Sequence, residues 1–209
     1  MRSASVNSCE IAGARLSGCR PFACLAALFF ALLSGQLEAK VYLTRAQAQK
    51  VCFPEATRFE QKLVRFSSAQ MSNIRKASGV EVKIPGVRCM LAWRGETLEG
   101  AVIFDYVLGK SEVIDYCVAL TPKGDVKQIE VLQYRESHGY EIRRDGWRRQ
   151  FVGKTTVSKL RLHDDIANIT GATISCRNVT SGVKRVLHTW RLVLRPALVA
   201  ASRLPDNSK

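Results

Sequence analysis

The chain reads as an α+β domain, an antiparallel sheet with a C-terminal helix packed on it. Two observations predict this. Between residues 80 and 134, five segments rich in Val, Ile, Leu and Tyr follow one another, joined by turns too short to hold a crossover helix. After them Val179, Val183, Val186, Leu187 and Trp190 recur at three- and four-residue intervals, with Arg177, Lys184 and Arg185 on the other face. That is the period of a helix with one buried side.

Taken in order, Thr44 predicts an N-cap, and Gln47 completes a capping box for a short helix through Ala48, Val51 and Cys52 that ends at Pro54. A second helix is expected over 68–78, stopped by Gly79. Strands are expected at 80–84, 87–93, 99–107, 112–120 and 126–134. Pro85 and Gly86, Arg94 and Gly95, Gly109 and Lys110, and Pro122 to Asp125 separate them. The last helix should run from about Cys176 to Leu194, with Pro196 ending it and a frayed tail over 196–209.

The first 39 residues predict an export signal. Arg2, Arg15 and Arg20 precede an apolar run from Phe22 to Leu33, and Leu37, Glu38 and Ala39 form a small-residue cleavage site ahead of Lys40. The run is short of the ~20 residues that span a bilayer. A Sec-type signal peptide and a periplasmic protein are the expectation, with an uncleaved N-terminal membrane anchor as the alternative. Cleavage would remove three Arg and two Glu from a chain with 32 basic and 18 acidic side chains, leaving 29 and 16, a net charge of +13. Such a charge favours phosphates, acidic redox proteins or a membrane surface. The expected export, and basic residues scattered without an aromatic-rich motif, argue against nucleic acid.

Four cysteines remain, Cys52, Cys89, Cys117 and Cys176, without a C-x-x-C pair or a haem-attachment motif. One or two disulfides, in any of three full pairings, and buried free thiols are both open. His138, His163 and His188 are far apart, so no metal site is expected. Ser175 has no neighbouring His or Asp base pattern, which argues against a hydrolase nucleophile.

The segment from Ile169 to Arg177, I-T-G-A-T-I-S-C-R, stands directly before the last helical pattern. A helix N-terminus offers unpaired N–H groups and partial positive charge to an anion, and Gly171 with Ala172 lets a phosphoryl group approach the backbone. Phosphate capture or attachment is the chemistry suggested.

Thr170, Gly171, Ala172, Thr173 resembles the S/T-G-A-T motif of the FMN-binding domain family, which includes the small flavin-carrying subunits of the Na⁺-translocating quinone reductase and the Rnf complex. Lys40 to Thr44, Cys52 to Ala56, the stretch Glu130 to Glu136 leading into Gly139, Tyr140 and Glu141, and Trp147, Gln150, Phe151, Gly153 and Lys154 resemble compact periplasmic members in the same order, over about residues 40–190. The resemblance implies an FMN-binding domain over 40–195 with an FMN-attachment loop at the N-terminus of the last helix. It implies FMN bound covalently by a phosphoester to Thr173, installed by an ApbE-type flavin transferase from FAD. Cofactor contacts are implied at Thr170, Gly171, Ala172, Ile174, Ser175, Glu136, Gly139, Tyr140, Trp147 and Lys154.

The resemblance also puts the loop from Glu136 to Glu141 beside the isoalloxazine, with Arg143, Arg144, Arg148 and Arg149 within reach to tune it. Family members often carry an acidic residue close upstream of the motif. Ala167 stands there in this chain, with Asp164 and Asp165 as stand-ins. The expected function is electron transfer with an unidentified redox partner, in the membrane or outside it, the role of a carrier being favoured over that of a stand-alone enzyme. The alternatives are a flavin-free interaction or adaptor domain beside a membrane redox complex, and a basic polyanion-binding protein.

Overall fold

The computed structural model describes residues 40–136, 138–201 and 203–204. The expected signal peptide and the end of the tail lie outside them. Six antiparallel strands form one sheet in the order β1-β6-β5-β4-β3-β2. They are β1 (Lys40–Val41), β2 (Arg58–Arg65), β3 (Gly86–Arg94), β4 (Thr97–Leu108), β5 (Val113–Leu120) and β6 (Val126–Tyr134). From β2 to β6 the chain is a meander, each strand pairing with the next, and β1 returns to the far edge beside β6.

Helix α1 (Arg45–Cys52) carries the capping box that Thr44 and Gln47 predict. Helix α2 (Ser68–Ser78) has a second one at Ser67 and Gln70, and stops at Gly79 in the left-handed region. Helix α3 (Thr173–Thr189) continues through a π turn, Trp190–Leu194, into a helical turn, Arg195–Ala200.

Alternation along the strands divides the core. On one face of the sheet, Leu91, Ile103, Tyr116, Val118 and Ile129 meet Val179, Val183, Val186, Leu187 and Trp190 of α3. On the other, Ala92, Val102, Cys117, Ala119 and Leu132 meet Ala48, Cys52 and Phe53 of α1. All four described cysteines are free and buried. The sheet keeps them apart in pairs, Cys89 and Cys176 in the α3-side core and Cys52 and Cys117 together under α1.

Three expectations change. Residues 80–84 form no strand, because the place beside β3 is taken by β2. Strand β2 itself shows an alternating, half-exposed edge pattern in which Arg58, Glu60, Lys62 and Arg65 dilute the apolar signal. Pro196 does not end the last helix; the π turn before it lets the chain pass, and Leu198 and Leu204 then pack on the main core.

Candidate site at the start of α3

Thr173 is the first residue of α3, after Gly171 at φ 83° and Ala172 at the N-cap. No side chain caps this end, and its first turn holds no acid. The first bond of the helical ladder runs from Cys176 N–H to Ala172 O, 2.9 Å. The amides of Thr173, Ile174 and Ser175 therefore have no acceptor inside the helix, and the positive end of the helix dipole stands behind them.

The two candidate hydroxyls are placed differently. Thr173 is half-buried, and its Oγ1 accepts from Asn168 Nδ2 at 2.9 Å. Ser175 is buried, with Oγ 3.2 Å from Tyr134 Oη. Tyr134 donates its phenolic proton to His138 O at 2.6 Å, so Ser175 is the donor of the pair. Burial raises the Tyr134 pKa, against the opposing effect of the Ser175 bond, and keeps the phenol a donor.

Gly139 lies at φ 88°, and a side-chain carbon there would come within 2.7 Å of Tyr134 Oη and 2.8 Å of Ala172 Cβ. The Gly139 loop thus lies against the motif, which a larger residue would prevent. Next to it Tyr140 is half exposed, and Ile174 exposes 43% of its surface beside Thr173.

Other expected contacts have their own partners. Glu136 Oε1 accepts from the amides of Ser111 (2.6 Å) and Glu112 (2.9 Å), closing the β4–β5 turn. Partial burial opposes ionisation of Glu136, but the backbone N–H groups of residues 110–112 win and hold its carboxyl below the ordinary range. Trp147 is buried edge-on to Phe151, centroids 5.0 Å apart, and its Nε1–H donates to Ala167 O at 2.9 Å. Gln150 Oε1 accepts from Ala167 N at 2.6 Å, so these two side chains clamp the segment leading into the motif. Lys154 pairs with Asp165 at 3.1 Å, and Asp165 also accepts from the amides of Leu160 and Arg161. Asp164 pairs with Lys159. Both upstream acids are engaged in the 159–165 loop.

The arginines also differ. Arg148 is bound to Glu130 and to the carbonyls of Ile129 and Arg143. Arg143 stacks 4.3 Å from the Tyr42 ring centroid, and exposed Arg149 pairs with Asp145.

The structure thus brings Gly139, Ala172, Thr173 and Ser175 together with Tyr134 and Asn168, which sequence reasoning did not assign to the site. The available signal for Asn168 was a lone amide between Ile166 and Ile169, in an otherwise apolar lead-in.

Residues 109–188 match the family model of the FMN-binding domain, from the β4–β5 turn through Gly139 and Thr173 to His188. The crystal structure of NqrC from Shewanella oneidensis is similar to this chain at 14% identity, covering 72% of this chain and 88% of that one, with a TM-score of 0.48. No curated protein matches the chain. Over residues 109–188, this chain is similar to the FMN-binding domain family.

Proposed function

We propose that the protein is an exported electron carrier holding FMN by a phosphoester to Thr173. The observation that carries this reading is the contrast at the start of α3, where Thr173 is half-buried at an uncapped helix end while Ser175 is buried and bonded to Tyr134. The residues present fit a phosphate. Three amides without helical acceptors face the place beside Thr173, and a helix end stabilises an anion by roughly 0.3–1 kcal/mol, or about 2 when partly buried. The Gly139 loop, Tyr140 and Ile174 offer apolar surface close by, on a face where the ring could stay open to a partner.

Bound FMN would supply the redox chemistry; the chain supplies attachment, orientation and local charge. Covalent attachment prevents loss by dilution after export. An ApbE-type transferase would install the group from FAD, and the net positive charge suits an acidic or membrane-bound redox partner.

The test is co-expression with a flavin transferase, followed by denaturing electrophoresis and intact mass. Wild type and Ser175→Ala should keep in-gel flavin fluorescence, and Thr173→Ala should lose it. Fluorescence retained by Thr173→Ala, or a mature chain without adduct, refutes the attachment. Amino-terminal sequencing of exported protein should begin within a residue or two of Lys40; full-length protein in membranes would refute cleavage and favour an anchor.

A further inference from the structure

The amide of Asn168 is held in an unusual state. Its Nδ2 donates to Thr173 Oγ1 at 2.9 Å, while its Oδ1 is buried without a hydrogen-bond partner among the described residues. Leaving a buried carbonyl oxygen unpaired is unfavourable, and structures rarely tolerate it without a reason. The segment around it is clamped, because Ala167 is tied by its N–H to Gln150 and by its carbonyl to Trp147. Asn168 therefore meets Thr173 from a fixed backbone.

We infer that Asn168 is a positioning residue for the modification of Thr173, its Nδ2–H holding the same oxygen before and after the ester forms. This rests on the attachment proposed above. In that step a bond forms between Thr173 Oγ1 and the FMN-side phosphorus of FAD, the pyrophosphate bond breaks, AMP leaves and the hydroxyl proton is released. No oxidant or reductant is required.

The chemistry of the oxygen selects an amide. A threonine hydroxyl both donates and accepts, whereas the bridging oxygen of a phosphoester has lost its proton and can only accept. An N–H donor suits both states. A carboxylate at 168 would suit neither the ester oxygen nor the adjoining phosphate, with which it would share a negative sign. The amides of the first turn of α3 have no acceptor inside the helix, and Asn168 adds a donor from the preceding loop at Thr173 Oγ1 itself.

The experiment compares wild type, Asn168→Ala and Asn168→Asp, each loaded by a purified flavin transferase with FAD and followed by intact mass at several pH values. Asn168→Ala should load about tenfold more slowly at every pH, the scale of losing one orienting bond. Asn168→Asp should be slower still at neutral pH and recover relative to wild type as pH falls, because a protonated carboxyl can donate. A role confined to folding would give both variants one pH-independent ratio, and that result overturns the inference. So does loading of both variants at the wild-type rate.

A measurement on wild type stands even if the variants fail to fold. The Asn168 side-chain amide should show slowed hydrogen exchange in ¹⁵N spectra of both the free and the FMN-loaded protein, and rapid exchange in either overturns the inference. A wild type that takes up no FMN refutes the proposed function and this inference together. A loaded wild type with unaffected variants refutes the inference alone.

Discussion

At the level of single residues, the site depends on groups that carry little chemistry of their own. Gly139 fits between Tyr134 Oη and Ala172 only because it lacks a side chain, and its φ of 88° is one that L side chains rarely adopt. Gly139→Ala should therefore cost about 1–3 kcal/mol through overpacking and backbone strain. It should also detach the 136–141 loop from the motif, seen as a lower Tm and faster tryptic cleavage at Arg143 and Arg144. Gly146→Ala is the control: nothing lies within 4 Å of the added carbon, and the position is helical, so Tm should hold or rise. Equal effects of the two substitutions would mean that Gly139 is a turn residue without a role in seating the loop. Arg148 makes the corresponding point for charge. Its partner Glu130 is 8% exposed, so Arg148→Gln leaves a buried carboxylate without its cation and should cost about 3–5 kcal/mol in thermal or urea unfolding. Exposed Arg149→Gln should change stability by less than about 1 kcal/mol.

At the level of elements, α3 lies unusually close to the sheet. A side-chain carbon on Gly182 would stand 2.1 Å from Tyr116 Oη. Tyr116 cannot easily yield, since it is fully buried and donates to Asp105 Oδ2 at 2.6 Å, the oxygen that Arg185 Nη2 also reaches at 2.6 Å. One helix residue, one residue of β4 and one of β5 thus fix where α3 lies along the sheet, and with it where Thr173 emerges. Gly182→Ala should lower stability by about 1–3 kcal/mol or more, and adding Tyr116→Phe should recover part of that loss. Additive losses in the double variant, measured by urea unfolding, would count against this seat.

The sequence announced such elements unevenly. Both capping boxes, the Gly79 stop and the apolar stripe of α3 are local signals, and the helices they predict are present. The alternation at 80–84 is real, with Val82 buried and Glu81 and Lys83 exposed, yet a strand also needs a free neighbour, and pairing is decided elsewhere in the chain. The same limit hid Tyr134 and Asn168. Their importance comes from what the fold places opposite them, whereas the Thr170 to Thr173 motif was legible because its residues are contiguous.

At the level of the whole molecule, the question is how a strongly basic chain responds to acid. His188 lies on α3 and is buried, with Nε2 unpartnered among the described residues. Desolvation first, then the charges of Arg191 and Lys184, hold its pKa below the ordinary 6.5. The folded state keeps this imidazole neutral while the unfolded chain takes up a proton below about 6.5, so the unfolded state binds more protons there and stability falls as pH falls. Asp165 and Glu136 have lowered values for a different reason, their backbone N–H partners outweighing burial, and their contributions persist until pH drops below ordinary carboxylate values near 4. Acid should therefore destabilise the protein in two stages, the first due to His188. General repulsion within a chain of net charge +14 would also grow on acidification, but it is separable. At about 1 M salt the screening length is only about 3 Å, which suppresses repulsion between surface charges and leaves the burial of His188 unaffected. Thermal unfolding of wild type and His188→Gln between about pH 7.5 and 5.5, at low and high salt, tests this directly. Wild type should lose up to about 1.4 kcal/mol per pH unit in this window at both salt concentrations, and His188→Gln should lose much less. If the two proteins fall in parallel and salt abolishes the slope, net charge and not the buried imidazole governs the response.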